Sequence, residues 1–366
     1  MTTEMNESTI GVAIIGSGKV ADAHALGYAA VPGCRVARVV DVDPARAVLL
    51  AARHGARPAA SLAEVLADAD VSVVSICTPH PSHAELAIAA AESGRHVLVE
   101  KPMALIVADC DRMIEAAARN DVRLGVVSQR RWYEPVRRMR RALDDGRIGD
   151  PILSTLEMLG WRGPEYYALD AWRGTLAGEG GGVLVTQASH QLDLLLWLAG
   201  PAAVVTARHG TFNHPGTEVE DTAVVLIEFA NGGLGSIVAS NSQYPGLWGR
   251  IRVHGRSGAS IGVETERGTA FISGVTTSVE PALIDVWTIP GEEHLVDAWR
   301  TEDLARSAGL DPMTHYHALQ IADFIGAVRE GRPPAVTGRD GRAAVALFQA
   351  VYRSNATRSS VVLADL

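Results

Sequence analysis

Cysteine is scarce in this chain, which has three in 366 residues: Cys34, Cys77 and Cys110. The number is odd and no two of them form a Cys-x-x-Cys pair, so we expect reduced thiols and a cytoplasmic protein. The histidines, among them His24 and His83, show no zinc-ligand spacing. The His-Pro-Ser-His stretch lacks the helical His-Glu-x-x-His context, so no metal is predicted.

An excess of positive charge and long apolar runs are also missing. There are 33 Lys and Arg against 42 Asp and Glu, and the net charge of −9 argues against a nucleic-acid partner. The basic run RRWYEPVRRMRR at 130–141 is interpreted as the solvated face of a helix. The apolar segment LDLLLWLAG is shorter than the ~20 residues of a membrane span. The polar start MTTEMNEST has no signal-peptide pattern, so no membrane partner is expected.

The first third of the chain alternates strand and helix patterns. Its apolar, β-branched runs are TIGVAII, CRVARVVD, VSVVSIC, HVLVE and VRLGVVS. Helix starts are predicted at Asp43-Pro44 and at two capping boxes, Ser61 with Glu64 and Ser82 with Glu85. Such alternation predicts βαβ units and a doubly wound parallel sheet of the Rossmann type, over residues 1–128.

The remaining residues, 129–366, change character. ILSTLEML, RIRVHG and ASIGVE read as strands, and Asn231-Gly232 joins two more in a hairpin. Helices are predicted near 135–146, 315–330 and 339–356. We therefore predict an α+β domain with an open, mostly antiparallel sheet, whose last helices can pack back on the first domain.

A glycine-rich turn follows the first strand. Gly16 to Ala21 read G-x-G-x-x-A between a predicted strand and a predicted helix, which is the context of the dinucleotide fingerprint. Gly16 permits the tight turn and Gly18 lets a pyrophosphate approach the backbone, while the helix start supplies amide donors. The predicted pyrophosphate contacts are Gly16, Ser17, Gly18, Lys19 and Val20.

Two acids follow the second strand, where a ribose-binding carboxylate is expected. Asp43 precedes Pro44 and is better explained as a helix cap, so Asp41 is assigned to the ribose. A carboxylate there repels a 2′-phosphate. The predicted cofactor is therefore NAD rather than NADP.

The strand HVLVE runs directly into Glu100, Lys101 and Pro102. Ligands of doubly wound sheets bind outside the carboxyl ends of the strands, so Lys101 is expected to project over the cofactor crevice. This is the first candidate catalytic residue.

These motifs together resemble the glucose–fructose oxidoreductase, inositol dehydrogenase and MocA family over nearly the whole chain. The stretches that carry the resemblance are GSGKVA, TPHPSH, VLVEKP, WRGT, GEGGGVLVTQASHQLDLLLWLAG, VEDTAVVLIEFANG and FIGAVREGRPP. The resemblance implies a nicotinamide cofactor, a sugar, polyol or related cyclic substrate, and a homodimer or homotetramer. It also implies a cis bond between Lys101 and Pro102, and cofactor contacts from Cys77, Thr78, Pro79, His80 and Glu100.

The segment TQASHQLD is the second candidate catalytic stretch. On a helix, Thr186, His190 and Asp193 would share one face. Family members commonly carry Asp at the Thr186 position and His at the His190 position, so this chain keeps the histidine and lacks the carboxylate. Lys101 and His190 are predicted as the catalytic pair, with Asp193 orienting or structural. The reaction is expected in a cleft between the two domains.

Substrate contacts are predicted around these residues, from polar groups mixed with aromatic faces that suit sugar hydroxyls. Besides Lys101 and His190 they are Gln129, Arg131, Tyr166, Trp172, Arg173, Thr186 and Gln187, together with Trp161. Trp161 and Trp172 are equally consistent with core positions. The sequence predicts an NAD-dependent dehydrogenase of a sugar or polyol. A cis-dihydrodiol dehydrogenase, an NAD-assisted glycoside-cleaving enzyme and a non-enzymatic NAD-dependent regulator remain alternatives.

Overall fold

The strands of the first third pair into one parallel sheet in the computed structural model, which describes residues 9–265 and 281–366. Within those residues the sheet has the order β3-β2-β1-β4-β5-β6. The strands are β1 Ile10–Ile15, β2 Cys34–Val40, β3 Arg57–Pro58, β4 Val73–Ile76, β5 His96–Val99 and β6 Leu124–Val126. Every residue of β1 and β4 is buried, as expected for strands covered on both faces. The predicted doubly wound sheet is confirmed.

Five helices connect these strands: α1 Lys19–Ala29, α2 Pro44–Arg53, α3 Leu62–Ala67, α4 His83–Glu92 and α5 Val107–Arg119. The cap at Asp43 is confirmed, because its carboxylate accepts the amide of Ala45 at 3.0 Å. The box at Ser61 is also present, with the Glu64 amide donating to the serine hydroxyl oxygen.

The second predicted capping box is wrong. A 3₁₀ turn at His80–Ser82 precedes α4, and the Ser82 hydroxyl donates to Thr78 Oγ1 and to the Pro79 carbonyl instead of capping the helix. The Glu85 carboxylate pairs with Arg112. The local sequence fits a helix cap, but the Ser82 hydroxyl forms its hydrogen bonds within the turn that precedes the helix.

A second sheet follows, mostly antiparallel, with the order β13-β12-β11-β7-β10-β9-β8-β14 in the described residues. Its strands are β7 Pro151–Leu159, β8 Ala202–Gly210, β9 Thr222–Phe229, β10 Leu234–Ser240, β11 Trp248–Gly255, β12 Ser260–Thr265, β13 Leu283–Trp287 and β14 Val361–Val362. Among the described strands of this second sheet, only β7 and β10 pair in parallel. The hairpin at Asn231-Gly232 is confirmed between β9 and β10.

Seven α-helices follow β6 in the described part of the chain. They are α6 Glu134–Asp144, α7 Pro164–Tyr167, α8 Leu176–Glu179, α9 Ser189–Ala199, α10 Leu295–Ser307, α11 Pro312–Glu330 and α12 Gly338–Thr357. Helix α11 belongs with the first sheet and not with the second. The apolar helix α9 packs on β7 and β11. Leu192 and Leu195 of the helix and Leu156 and Ile251 of the strands are all buried. Within the described residues, none of the helices combines the length and apolar character that crossing a bilayer requires.

The interpretation of the basic run as a solvated face is wrong for Arg138. This side chain on α6 is buried, and its guanidinium donates to Asp303 at 2.6 Å and stacks on the ring of Trp299. Both partners lie on α10, a helix that the sequence pattern does not reveal. Strands β8 and β13 were likewise not predicted.

The chain divides into two compact units, and the division does not follow the chain order. Among described residues the first unit comprises those to 103, 108–129 and 313–339, and the second those of 104–107, 130–312 and 340–366. Helix α11 thus belongs with the first sheet. A Cβ at Gly27 would lie 2.6 Å from Ile321, and one at Gly125 would lie 2.8 Å from Phe324, so both glycines allow α11 to approach.

We expect truncation of Phe324 to destabilise the first unit, because its ring is fully buried in that core. Phe324→Ala should lower the free energy of unfolding by about 3–5 kcal/mol. The matched control on the same helix is Leu319→Ala, whose side chain is 37% exposed and whose effect should stay within about 0.5 kcal/mol. Urea unfolding followed by circular dichroism measures both, and equal effects would contradict this placement of α11.

Candidate active site

The carboxyl ends of three neighbouring strands lie level at one edge of the first sheet. Ile15 at the end of β1 pairs with Ile76 of β4, and Ile76 pairs with Val99 of β5. The segments that leave these strands therefore start side by side. They are the glycine turn, the loop from Cys77, and the loop from Glu100.

The glycine turn is held to both neighbouring strands. Gly16 has φ +92°, and a Cβ there would lie 2.8 Å from the Cys77 carbonyl oxygen, so only glycine fits. Its amide donates to Val40 at the end of β2, and the Ser17 amide donates to the Asp41 carboxylate at 2.6 Å. The predicted ribose-binding acid thus lies directly beside the turn.

The start of α1 is open toward a ligand. A Cβ built on Gly18 meets no atom within 4 Å, and no side chain caps the helix. Within the described residues, the buried Ser17 hydroxyl oxygen also has no hydrogen-bond partner. Unsatisfied amides, a helix dipole and an uncapped glycine together fit the pyrophosphate of a dinucleotide. The side chains of Lys19 and Val20 follow in the first turn of the helix.

The loop after β4 places Cys77, Thr78, Pro79 and His80 next to that turn. Cys77 is buried, and burial raises the pKa of its thiol well above the usual value, so it stays protonated. The ring of His83 is also buried, with its nitrogens 2.8 Å from the carbonyl oxygens of Thr78 and Pro102. This histidine, the first residue of α4, therefore joins the loop after β4 to the loop after β5.

The loop after β5 begins with a buried carboxylate and a half-buried lysine. The predicted cis bond between Lys101 and Pro102 is confirmed. Glu100 Oε2 accepts the Lys101 amide at 3.1 Å, and Oε1 lies 3.0 Å from His24 Nε2 and 3.5 Å from His317 Nε2. Burial favours the neutral acid, but the two histidines hold the pKa of Glu100 well below its usual value. The predicted cofactor contact of Glu100 stays a prediction.

The second unit contributes the segment from Gly180 to Asp193, and here one geometric prediction is wrong. Val183–Gln187 form a π-helical turn, and α9 begins only at Ser189. Thr186 therefore does not lie one α-helical turn below His190. The wider turn is fixed by Gly182, where a Cβ would lie 1.8 Å from the Glu220 carbonyl oxygen. The buried Glu220 carboxylate also accepts the Gly182 and Leu184 amides.

Most of the predicted substrate-binding side chains of this unit lie together. Gln187 Nε2 donates to the Tyr166 hydroxyl at 3.0 Å, and the Thr186 hydroxyl donates to the Gly182 carbonyl. The Arg173 guanidinium lies 4.4 Å from the Tyr166 ring centroid and 4.6 Å from that of Trp172. Such a mixture of aromatic faces and polar groups suits a carbohydrate.

Glu179 belongs to the same cluster and was missed from the sequence. It is 1% exposed, and it accepts the Gly174 amide at 2.8 Å. Burial raises its pKa to about 7, although the charge of Arg173 acts in the opposite direction. The signal that could have revealed it is a single carboxylate inside the run of glycines.

Other predicted residues have different surroundings. Arg131 is buried in a bidentate contact with Asp193 and a further contact with Asp340, which gives Asp193 the structural role considered for it. Trp161 packs edge-on against Tyr244. Gln129 begins a 3₁₀ turn at the end of the first unit's 108–129 segment.

His190 is the second residue of α9 and is half-buried. It belongs to the second unit and Lys101 to the first.

A doubly wound parallel sheet with an open glycine turn and a neighbouring acid is typical of an NAD-binding domain. Residues 10–128 match the oxidoreductase family with an NAD-binding Rossmann fold, and residues 136–261 match the GFO/IDH/MocA C-terminal domain. The fold and the turn therefore define an NAD-dependent oxidoreductase.

Proteins of known name and solved structures match most or nearly all of this chain. Inositol 2-dehydrogenase of Rhizobium meliloti (strain 1021) is 28% identical over 360 residues, which cover 97% of this chain and 100% of that protein. Inositol 2-dehydrogenase 3 of Saccharopolyspora erythraea is 32% identical over 64% of this chain and 68% of that protein. The WlbA dehydrogenase of Bordetella pertussis, solved with NADH and UDP-GlcNAcA, has a TM-score of 0.85 at 29% identity, with 97% and 98% of the two chains covered. The chain belongs to the GFO/IDH/MocA family of oxidoreductases.

The two glycines of the turn should respond differently to substitution. Gly18 has φ −72° and open space around its Cβ position, so Gly18→Ala should leave thermal stability unchanged but weaken NAD binding about ten-fold, because the new methyl group meets the pyrophosphate. Gly16→Ala should lower the melting temperature, since both its φ and its contact with Cys77 exclude a side chain. Calorimetry and fluorescence titration with NAD separate the two effects. NAD affinity unchanged in Gly18→Ala would contradict this account of the turn.

Proposed function

We propose that the chain oxidises a secondary alcohol of a sugar, polyol or sugar derivative with NAD. The observation that carries the proposal is the position of Lys101 in the chain. It follows β5 at the same sheet edge where the open glycine turn follows β1. We propose that the Lys101 ammonium group at that edge meets a hydroxyl presented to the cofactor. The names of similar proteins, which include inositol dehydrogenases and a dehydrogenase solved with a nucleotide sugar, support this substrate class.

Alcohol oxidation requires two transfers from the substrate. The hydride leaves carbon, the proton leaves oxygen, and the C–O bond becomes C=O. Bound NAD supplies the hydride acceptor. We propose that His190 accepts the proton, because imidazole titrates near neutral pH. Lys101 would polarise the same oxygen by donating a hydrogen bond to it.

The second unit supports the substrate assignment. Tyr166, Trp172 and Arg173 present two aromatic rings around one guanidinium, and Thr186 and Gln187 add short polar groups. We propose these five as substrate contacts. We also propose that residues 1–128 hold the cofactor and 129–366 the substrate, with 313–339 packed on the cofactor unit.

A spectrophotometric screen at 340 nm with NAD and with NADP tests the activity. Free sugars, inositols, sugar acids, nucleotide sugars and cyclic diols should be offered, and we expect NADH production with at least one carbohydrate. Turnover of cyclic diols alone would favour a cis-dihydrodiol dehydrogenase. Co-purified NAD and glycoside cleavage without net NADH would favour NAD-assisted glycoside cleavage.

Lys101→Ala and His190→Ala should each lower kcat about 100-fold or more, while NAD still binds with the affinity of the unaltered protein. The physical reason is that each variant removes one of two groups at the reacting oxygen and neither touches the glycine turn. Stopped-flow measurement of NADH formation and fluorescence titration supply both readouts. Turnover close to that of the parent in both variants would reject the catalytic pair.

We further propose a cytoplasmic homo-oligomer, a dimer or tetramer. The three cysteines are free, as a reducing compartment requires. One face of the second sheet exposes four apolar side chains. Leu153 of β7 pairs with Leu234 of β10, and Leu226 and Val224 follow one another along the same face of β9. An apolar face of this kind is typical of an interface between subunits.

Sedimentation velocity should give a mass of two or four chains of 38.7 kDa each. Leu226→Lys, at a position 62% exposed, should shift the distribution toward the single chain, because a buried ammonium without a partner opposes association. Leu49→Lys, 64% exposed on α2, is the matched control and should leave the mass unchanged. A single-chain mass for the parent protein would contradict the proposal.

A further inference from the structure

Two buried histidines bind the carboxylate that precedes Lys101. We propose that His24 and His317 are positioning residues that act on Lys101 through Glu100. The three side chains, named here the carboxylate clamp, are 0%, 2% and 8% exposed for His24, His317 and Glu100 respectively. All three belong to the first unit.

The hydrogen bonds of His24 have a fixed direction. The Tyr28 hydroxyl donates to Ser75 Oγ at 3.1 Å, and the serine hydroxyl lies 2.8 Å from His24 Nδ1. Because the carboxylate of Glu100 accepts, Nε2 of His24 carries the proton at the 3.0 Å contact. Burial lowers the pKa of His24 and so favours the neutral ring, whose Nδ1 accepts from Ser75. This chain of donors therefore ends on Glu100 Oε1.

The second histidine reaches the same oxygen from helix α11. His317 Nδ1 lies 2.7 Å from the carbonyl oxygen of Met313, so this nitrogen donates. His317 Nε2 lies 3.5 Å from Glu100 Oε1. The Nε2 edge of this ring therefore faces the Glu100 oxygen that also contacts His24. The clamp thus joins α1, β5 and α11 at one carboxylate.

The remaining carboxylate oxygen acts on the lysine itself. Glu100 Oε2 accepts the Lys101 amide at 3.1 Å, so the peptide from which the lysine side chain starts is fixed to the clamp. Burying a carboxylate without partners is strongly unfavourable because the charge loses its hydration. An apolar residue could end the strand without this desolvation penalty. The three ionisable groups of the clamp are explained if they fix the direction in which the Lys101 side chain leaves the main chain. A displacement of ~1 Å at a catalytic group can lower a rate about 100-fold.

This inference rests on the proposed role of Lys101 and is tested at His317. His317→Leu removes the donor, whereas His317→Gln keeps an amide that can donate to Glu100. We expect His317→Leu to lower kcat about 10- to 100-fold with the NAD dissociation constant unchanged, and His317→Gln to recover most of the loss. A loss of packing alone would lower the melting temperature and spare kcat at temperatures where the variant is folded.

Two further variants keep the test decisive. If His317→Leu does not fold, Glu100→Gln carries the test, because the amide keeps the volume of the side chain and should show the same kcat loss. His54→Gln is the matched control: this half-buried histidine contacts the Asp22 carboxylate of α1 at 2.9 Å and should leave kcat unchanged.

The outcomes separate the two proposals. Inactive Lys101→Ala with fully active His317→Leu and Glu100→Gln would overturn the clamp and leave the role of Lys101 standing. Active Lys101→Ala would reject that role first, and the clamp with it. The ligand atoms of the clamp lie within 4.8 Å of one another, so elemental analysis completes the test. One divalent ion per chain, lost in His317→Leu, would show a metal site and overturn the clamp.

Discussion

The level pairing of β1, β4 and β5 is the constraint on which the candidate site depends. Parallel pairing aligns Ile15, Ile76 and Val99, and the next residue of each strand then enters a loop at the same edge. Backbone hydrogen bonds that cross between loops keep the alignment, such as those from Gly16 to Val40 and from Glu100 to Ile76. The residues of the first unit that are predicted to contact the cofactor are thereby placed by main-chain geometry.

The parts of this arrangement that are local in sequence could be predicted. The glycine turn, the cap at Asp43 and the strand before Glu100 each rest on fewer than about ten neighbouring residues, where steric and hydrogen-bond rules apply directly. Family resemblance added the cis peptide, which no local rule supplies. The predicted roles of Lys101 and His190 remain predictions that the proposed experiments address.

The parts that depend on distant residues could not be predicted. Arg138 reads as a surface residue until Asp303, 165 positions further along the chain, is placed beside it. The π-helical turn at Val183–Gln187 reflects the close approach of Glu220 to Gly182, two residues from different elements. The same turn occupies the Thr186 hydroxyl with a backbone carbonyl, at the position where family members commonly carry Asp.

Helix α11 shows how a late segment completes an early unit. The sheet from β1 to β6 is contained in the first 126 residues, yet its core includes Ile321, Phe324 and Ile325. During synthesis on the ribosome the sheet must therefore wait, with this apolar surface uncovered, until residues beyond 330 have emerged. A fragment that stops at the end of β6 would expose the same apolar surface. Exposed apolar surface of this kind favours self-association.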